Sequence, residues 1–106
     1  MDKLLQFISI GMKAGAYTLG LDLTVSAARA GRIKLILLST DASANTKKAI
    51  KNTATTNQIN VIEHYPMEML GASCGMQKLS VIGVKNEKIA LQITILYGQL
   101  VKGGNA

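Results

Sequence analysis

Apolar positions along this chain switch repeatedly between helical and strand spacing. Leu4, Leu5, Ile8 and Met12 recur at helical intervals and predict a first helix over Leu4–Lys13, stopped by Gly15 and followed by a short extended piece at Ala16–Leu19. Gly20 opens a second helix. Asp22 is its candidate N-cap, Leu23, Ala27, Ala28 and Ala30 are its small apolar contacts, and Gly31 closes it. That content predicts close packing against a sheet. Arg32 and Lys34 lead into Leu35-Ile36-Leu37-Leu38, a continuous apolar run bounded by polar residues, which is the pattern of a central strand buried on both faces.

The segment from Asp41 to Lys48 reads as a strand exit and a helix start, with Ser43 or Asp41 placed to accept from the free amides of the first turn. This third helix is expected to reach about Thr55. Val61 and Ile62 form a short strand, Pro66 starts a helical piece through Leu70, Gly71–Gly75 make a small-residue loop, and Leu79–Val84 is the next strand. Between Lys88 and Val101 two patterns compete. Ile89, Leu91, Ile93, Ile95 and Tyr97 alternate as in a strand, whereas Ile89, Ile93, Leu96, Tyr97 and Leu100 make a helical stripe. The length of this segment and the Asn86-Glu87 start favour a helix. Helices alternating with short apolar strands imply an α/β fold: a three-layer α/β/α sandwich on a small four-stranded mixed sheet. One domain over residues 1–102 is expected, with 103–106 frayed.

Size and composition agree with one core. The chain has 106 residues and 11.3 kDa, is 48% hydrophobic and 17% charged, and so falls outside multidomain enzymes and disordered tails. Twelve Lys and Arg against six Asp and Glu give +6, which favours a polyanionic partner, nucleic acid first and acidic protein or anionic lipid next; a charge of this size also serves solubility. The few aromatics, Phe7, Tyr17, Tyr65 and Tyr97, argue against a platform on which successive bases stack. Lys3, the apolar stretch to Met12 and Ala14-Gly15-Ala16 loosely mimic a signal peptide, but Gln6 and Ser9 interrupt the stretch and its spacing is helical. No run is long enough to span a bilayer, and the lone Cys74 fits a reducing compartment, so a soluble cytoplasmic protein with no membrane partner is expected.

Candidate chemistry is sparse. His64 and Cys74 are the residue types of a base and a nucleophile, yet no orienting partner or oxyanion loop accompanies them, and packing roles account for both. No Cys/His cluster has metal-ligand spacing, the glycines compose no nucleotide fingerprint or phosphate loop, and no cofactor, metal or enzymatic activity is expected. The basic residues point elsewhere. Lys47, Lys48 and Lys51 share one side of the third helix, and Arg29, Arg32 and Lys34 gather at the end of the second. A solvated helix face is the competing explanation for the lysines. The helix start at Gly20 and Asp22 adds free amides and a dipole suited to a phosphate or a base edge, with no side chain on Gly20 to hold a ligand away.

Three stretches in order carry a resemblance: Gly20-Leu21-Asp22-Leu23-Thr24-Val25-Ser26-Ala27, then the run from Lys34 through Asp41-Ala42-Ser43-Ala44-Asn45-Thr46-Lys47-Lys48, then Leu70-Gly71-Ala72-Ser73-Cys74-Gly75. They resemble the ribosomal-protein superfamily that binds kink-turn RNA, and the Asp41–Lys48 stretch looks like its small bacterial YlxQ-type branch. The similarity spans roughly Leu4 to Leu100. It implies a non-catalytic α/β/α sandwich that binds sharply bent RNA at one end, where the helix after the glycine meets tandem sheared G·A pairs and the loop after the Leu-Gly motif covers an extruded base. Carried onto this chain, the implied RNA-binding residues are Gly20, Leu21, Asp22, Leu23, Ser26, Arg29, Asp41, Lys47, Met76, Gln77 and Lys78. Asp22 could accept from guanine N–H groups, and Met76 could serve as a flexible apolar lid. Ser26 departs from the pattern, standing where the family usually carries a lysine, and Leu23 stands where an acidic or amide residue is common. Structured RNA, kink-turn or ribosomal, is the expected partner, together with ribosomal or translation-factor proteins. A protein-interaction module on the same fold is the alternative.

Overall fold

The run Leu35–Leu38 is a strand in which every residue is buried, and its side chains alternate between two separate cores. That alternation is why the sequence shows a continuous apolar run there. The computed structural model describes residues 2–103. In chain order its elements are α1 (Lys3–Lys13), β1 (Tyr17–Leu19), α2 (Leu21–Arg29), β2 (Leu35–Leu38), α3 (Ala44–Asn57), β3 (Asn60–Glu63), α4 (Met67–Ser73), β4 (Val81–Val84) and α5 (Glu87–Gly103). The strands form one sheet in the order β1-β4-β2-β3, with β2 and β3 parallel and the other pairings antiparallel. The expected central strand is thus flanked on both sides, and the sheet is mixed.

On one face, Leu35, Leu37, Ile82, Val84 and Tyr17 meet Leu4, Leu5 and Ile8 of α1, Leu70 of α4 and Ile93 of α5. On the other, Ile36, Leu38 and Val81 meet Ala28 of α2 and Ile50 and Ala54 of α3. Burying one such aliphatic side chain contributes about 1.5–3 kcal/mol, so these two cores hold the three layers together. Gly11 and Gly83 set the closeness of the layers. A Cβ on Gly11 would overlap the Tyr17 hydroxyl, which donates to the Ile8 carbonyl at 2.8 Å, and a Cβ on Gly83 would overlap the Thr18 hydroxyl and press on Thr24 of α2.

Several local expectations need correction. The N-cap of α2 is Gly20, not Asp22, which lies within the first turn. Helix α4 continues through Ser73, so the loop expected from Gly71 begins only after it, and β4 starts at Val81 rather than Leu79. Leu79 is buried with its N–H bonded to the Met67 carbonyl, a loop-to-helix contact in place of a ladder. Ser43 caps α3 by accepting from Thr46 N at 3.1 Å, and the helix runs to Asn57, ending on Gln58 in the left-handed region. The stretch from Lys88 to Val101 is helical: Ala90 and Ile93 are buried while Leu91 and Ile95 are exposed, and Asn86 accepts from Ile89 N at 3.0 Å at its start. Helix α5 ends at Gly103, and 104–106, part of the segment expected to fray, lie outside the described residues.

The strand directions decide where function can lie. β1, β2 and β3 end, and β4 begins, at one edge of the sheet, because Leu19 pairs with Ile82 and Leu38 with both Val81 and Glu63. Helices α2, α3 and α4 therefore all start at that edge, turning the positive ends of their dipoles the same way.

Candidate nucleic-acid interface

Gly20 has φ 98° and ψ 166°, a backbone region that side-chain-bearing residues adopt only under strain. Its N–H donates to the Val81 carbonyl at 2.9 Å and its carbonyl accepts from Thr24 N at 3.3 Å, so one residue fastens the start of α2 to the start of β4. No side chain caps this helix, and nothing lies within 4 Å of where a Gly20 Cβ would stand. The amides of the first turn are thus open to a ligand. Behind them lies the completely buried Thr24. Its hydroxyl is 2.9 Å from that of Thr18, and its methyl packs over Gly83. Neither Thr24 nor Gly83 stands out in the sequence, because the two are distant from each other along the chain.

The loop from Gly75 to Ser80 leads into the residue that receives the Gly20 bond. Met76, Gln77 and Lys78 are all exposed on it. Gly71 holds the loop down on α4: a Cβ there would stand 2.8 Å from the backbone N and Cα of Lys78 and 2.9 Å from the Gln77 carbonyl carbon. Met76 N and Leu79 N donate to the Gly71 and Met67 carbonyls. The Leu-Gly motif therefore positions the loop by allowing backbone to lie on backbone.

Along α2, Asp22, Leu23, Ser26 and Arg29 form the exposed face, with Leu21 half-buried beside it and Leu23 63% exposed. The other expected contacts behave differently. Asp41 accepts from Met67 N at 2.8 Å and so fastens the loop after β2 to the first turn of α4. Lys47 donates to the Thr40 carbonyl at 2.7 Å and pairs with Glu63 at 3.2 Å, with Lys51 at 3.7 Å from the same carboxylate. Lys48 alone of these three lysines has neither bond among the described residues. Arg32 and Lys34 lie at the opposite edge of the sheet, where Lys34 N donates to the Val84 carbonyl.

The two candidate catalytic residues have packing roles. His64 stands edge-on to Tyr65 and Tyr97, with ring centroids 4.7 and 5.5 Å away. Cys74 is buried, and burial pushes its thiol pKa up against a smaller opposing effect from the Ser73 hydroxyl; this is the reverse of an activated thiolate. No described helix is long and apolar enough to cross a membrane.

Known proteins are similar to this chain in sequence and in fold. An RNA-binding protein YlxQ from Enterococcus faecium is 31% identical over 62 residues, which are 58% of this chain and 60% of that protein, so the match spans less than two thirds of the relative's length. A Bacillus halodurans protein described as of unknown function superposes with a TM-score of 0.88 at 29% identity, covering 91% of this chain and 97% of that one. The Giardia lamblia 15.5kD RNA binding protein superposes with a TM-score of 0.73 over 88% of this chain and 86% of its own, and at 13% identity it speaks for the fold alone. A family match extends over residues 2–93, from the Asp2 cap of α1 through Ile93 in the core of α5 and across the Gly20 helix start and the Gly71 loop clamp, and it places this chain in the ribosomal protein L7Ae/L30e/S12e/Gadd45 family.

Proposed function

We propose that this chain is a non-catalytic, cytoplasmic binder of bent, kink-turn-like RNA associated with ribosomal or translation-related RNA and its protein partners. The observation that carries this reading is the uncapped start of α2 at Gly20, open on its outer side and fastened next to the loop that bears Met76. Amides of Leu21, Asp22 and Leu23, with the dipole behind them, would take a base edge or a phosphate. The Asp22 carboxylate would accept from guanine N–H groups, and Leu23 and Met76 would supply apolar contact to an unstacked base. Lys48 and Lys78, both exposed, would neutralise phosphates without reading sequence. The relative named for RNA binding supports the same ligand class.

The test is a titration with a kink-turn RNA and a straight duplex of equal length at several salt concentrations. Tighter binding of the bent RNA is expected, with the preference reduced by Met76→Asp. Equal affinity for both would leave only nonspecific electrostatics, and no binding at low salt would exclude RNA altogether. The protein-interaction alternative draws on a different surface: Ile10 of α1 and Leu91, Ile95 and Val101 of α5 are exposed, in the layer opposite α2 and α3.

A further inference from the structure

Lys48 and Lys78 lie at the end of the sheet where α2 starts, and further cations without carboxylate partners among the described residues lie at its opposite end. Asp22 lies in the first turn of α2, and Asp2, Asp41, Glu63 and Glu68 occupy the same edge of the sheet, while Lys47 and Lys51 are drawn onto Glu63. Arg29, at the far end of α2, and Lys34, beyond the following turn, have no ion pair among the described residues. Between those two regions, grooves follow one another along the seam of α2 and α3. The first runs from Leu21 and Asp22 past Ser26 to Arg29, with Ala49 opposite. The second is walled by Arg29, Asn52, Thr53, Thr56 and Asn57. The third carries on from Arg29 and Asn57 to Lys34 and Gln58. Arg29 borders all three, so the seam is continuous from the helix start to the opposite edge of the sheet.

The middle groove is lined by amide, hydroxyl and cation, whereas Leu21, Val25 and the Asp22 carboxylate also border the first and Ile33 and Ile59 the third. The side chains of Asn52 and Thr56 have no protein partner among the described residues, whereas Asn57 donates to the Thr53 carbonyl at 2.8 Å and keeps its carbonyl oxygen free. The middle groove has no apolar side chain in its walls, and it combines the two group types that hold a sugar–phosphate backbone: the Arg29 guanidinium for phosphates and neutral hydrogen-bonding groups for phosphate and 2′-hydroxyl oxygens. Along α2 the seam offers about 13 Å of track, enough for a short segment of one strand.

We infer that the α2–α3 seam carries the backbone of the RNA arm leaving the start of α2, with Arg29 and Lys34 on phosphates and Asn52 and Thr56 on phosphate or ribose oxygens. This rests on the RNA reading above and adds a second, sequence-independent contact surface to it. The experiment compares a kink-turn RNA whose arm stops at the bend with one whose arm continues, titrated with the wild type, Arg29→Gln/Lys34→Gln and Asn52→Ala, each checked for native circular dichroism. For the long-armed RNA the double variant should lower the slope of log K against log salt by up to about two units, and Asn52→Ala should weaken binding without changing the slope. For the short-armed RNA the Lys34 part of the effect should vanish, leaving the loss due to Arg29 alone.

Unchanged slopes for both RNAs, while bent RNA is still preferred over straight duplex, would overturn the track and leave the kink-turn reading standing. A reduced slope on long RNA without any preference for bent RNA would support the track and remove the kink-turn reading. Preferential binding of an acidic polypeptide such as polyglutamate over either RNA would overturn both.

Discussion

The Tyr65 hydroxyl lies 2.7 and 2.9 Å from the two carboxylate oxygens of Asp2, to which it donates across 63 residues of sequence. The same carboxylate accepts from Leu5 N at 2.7 Å, so Asp2 caps α1 and anchors the segment between β3 and α4 at once. Removing the hydroxyl leaves the cap and deletes the tether. Tyr65→Phe is expected to lower stability by about 1.5 kcal/mol, the lower range for a hydrogen bond to a charged group, and a urea unfolding curve of the two proteins measures it. An unchanged midpoint would show that the tether contributes nothing.

Alkaline stability follows from the two buried phenols. Burial is the main cause pushing up the pKa of both Tyr17 and Tyr65; the Asp2 hydrogen bond and charge add to it at Tyr65, and Cys74 adds at Tyr17. Their folded-state values exceed the unfolded value near 10. The stabilisation by the protonated phenols is therefore complete below pH ~10 and is lost as pH rises through the window above it. Unfolding free energy should fall with pH from there, and Tyr17→Phe/Tyr65→Phe should fall less steeply. Parallel slopes for the two proteins would assign the alkaline loss to other groups.

At Gly20 the cost of a side chain is conformational rather than steric, since the added Cβ meets nothing while φ stays at 98°. Gly20→Ala should cost about 1–3 kcal/mol in thermal or urea unfolding, and it should weaken bent RNA more than straight duplex, because it changes the entry to the open amides. A variant of wild-type stability would mean that this backbone relaxes freely.

Gly71 has the opposite physics. A methyl there meets the backbone at Gln77 and Lys78 at 2.8–2.9 Å, and backbone cannot rotate away as a side-chain tip can. Gly71→Ala should displace the loop carrying Met76 and cost about 1–3 kcal/mol. Amide exchange in residues 75–80 should rise relative to β4, and exchange identical to wild type would count against the clamp.

Ser26 lies exposed on the face of α2 between Asp22 and Arg29, where the first groove passes. Ser26→Lys places a cation on that path without disturbing the core. It should tighten binding of bent RNA at low salt and steepen the salt dependence by about one unit. Unaltered binding would place the RNA elsewhere on the molecule.

Much of this architecture was legible in residue order. The two-faced burial of Leu35–Leu38, the helical spacing of Leu4, Leu5, Ile8 and Met12, and the glycine before Leu21 are local signals, and local periodicity is what a sequence displays directly. The end of α4 is not legible in residue order: Gly71 and Ala72 look like a loop, but the helix continues through Ser73, and Gly71 leaves room for the Lys78 backbone against it. Asp41 and Lys47 show what only the fold adds. Both matched a binding motif, and the fold gives each an intramolecular partner, Met67 N for one and Glu63 with the Thr40 carbonyl for the other.

By itself, the order of apolar and polar residues determined the layers, the buried strand and the place where α2 begins, because burial period and glycine geometry act within a few residues. Tertiary structure alone decided which cations remain available. Pairing depends on strand order and register, which bring Glu63 beside Lys47 and Lys51 and leave Arg29 and Lys34 unpaired along the seam of α2 and α3.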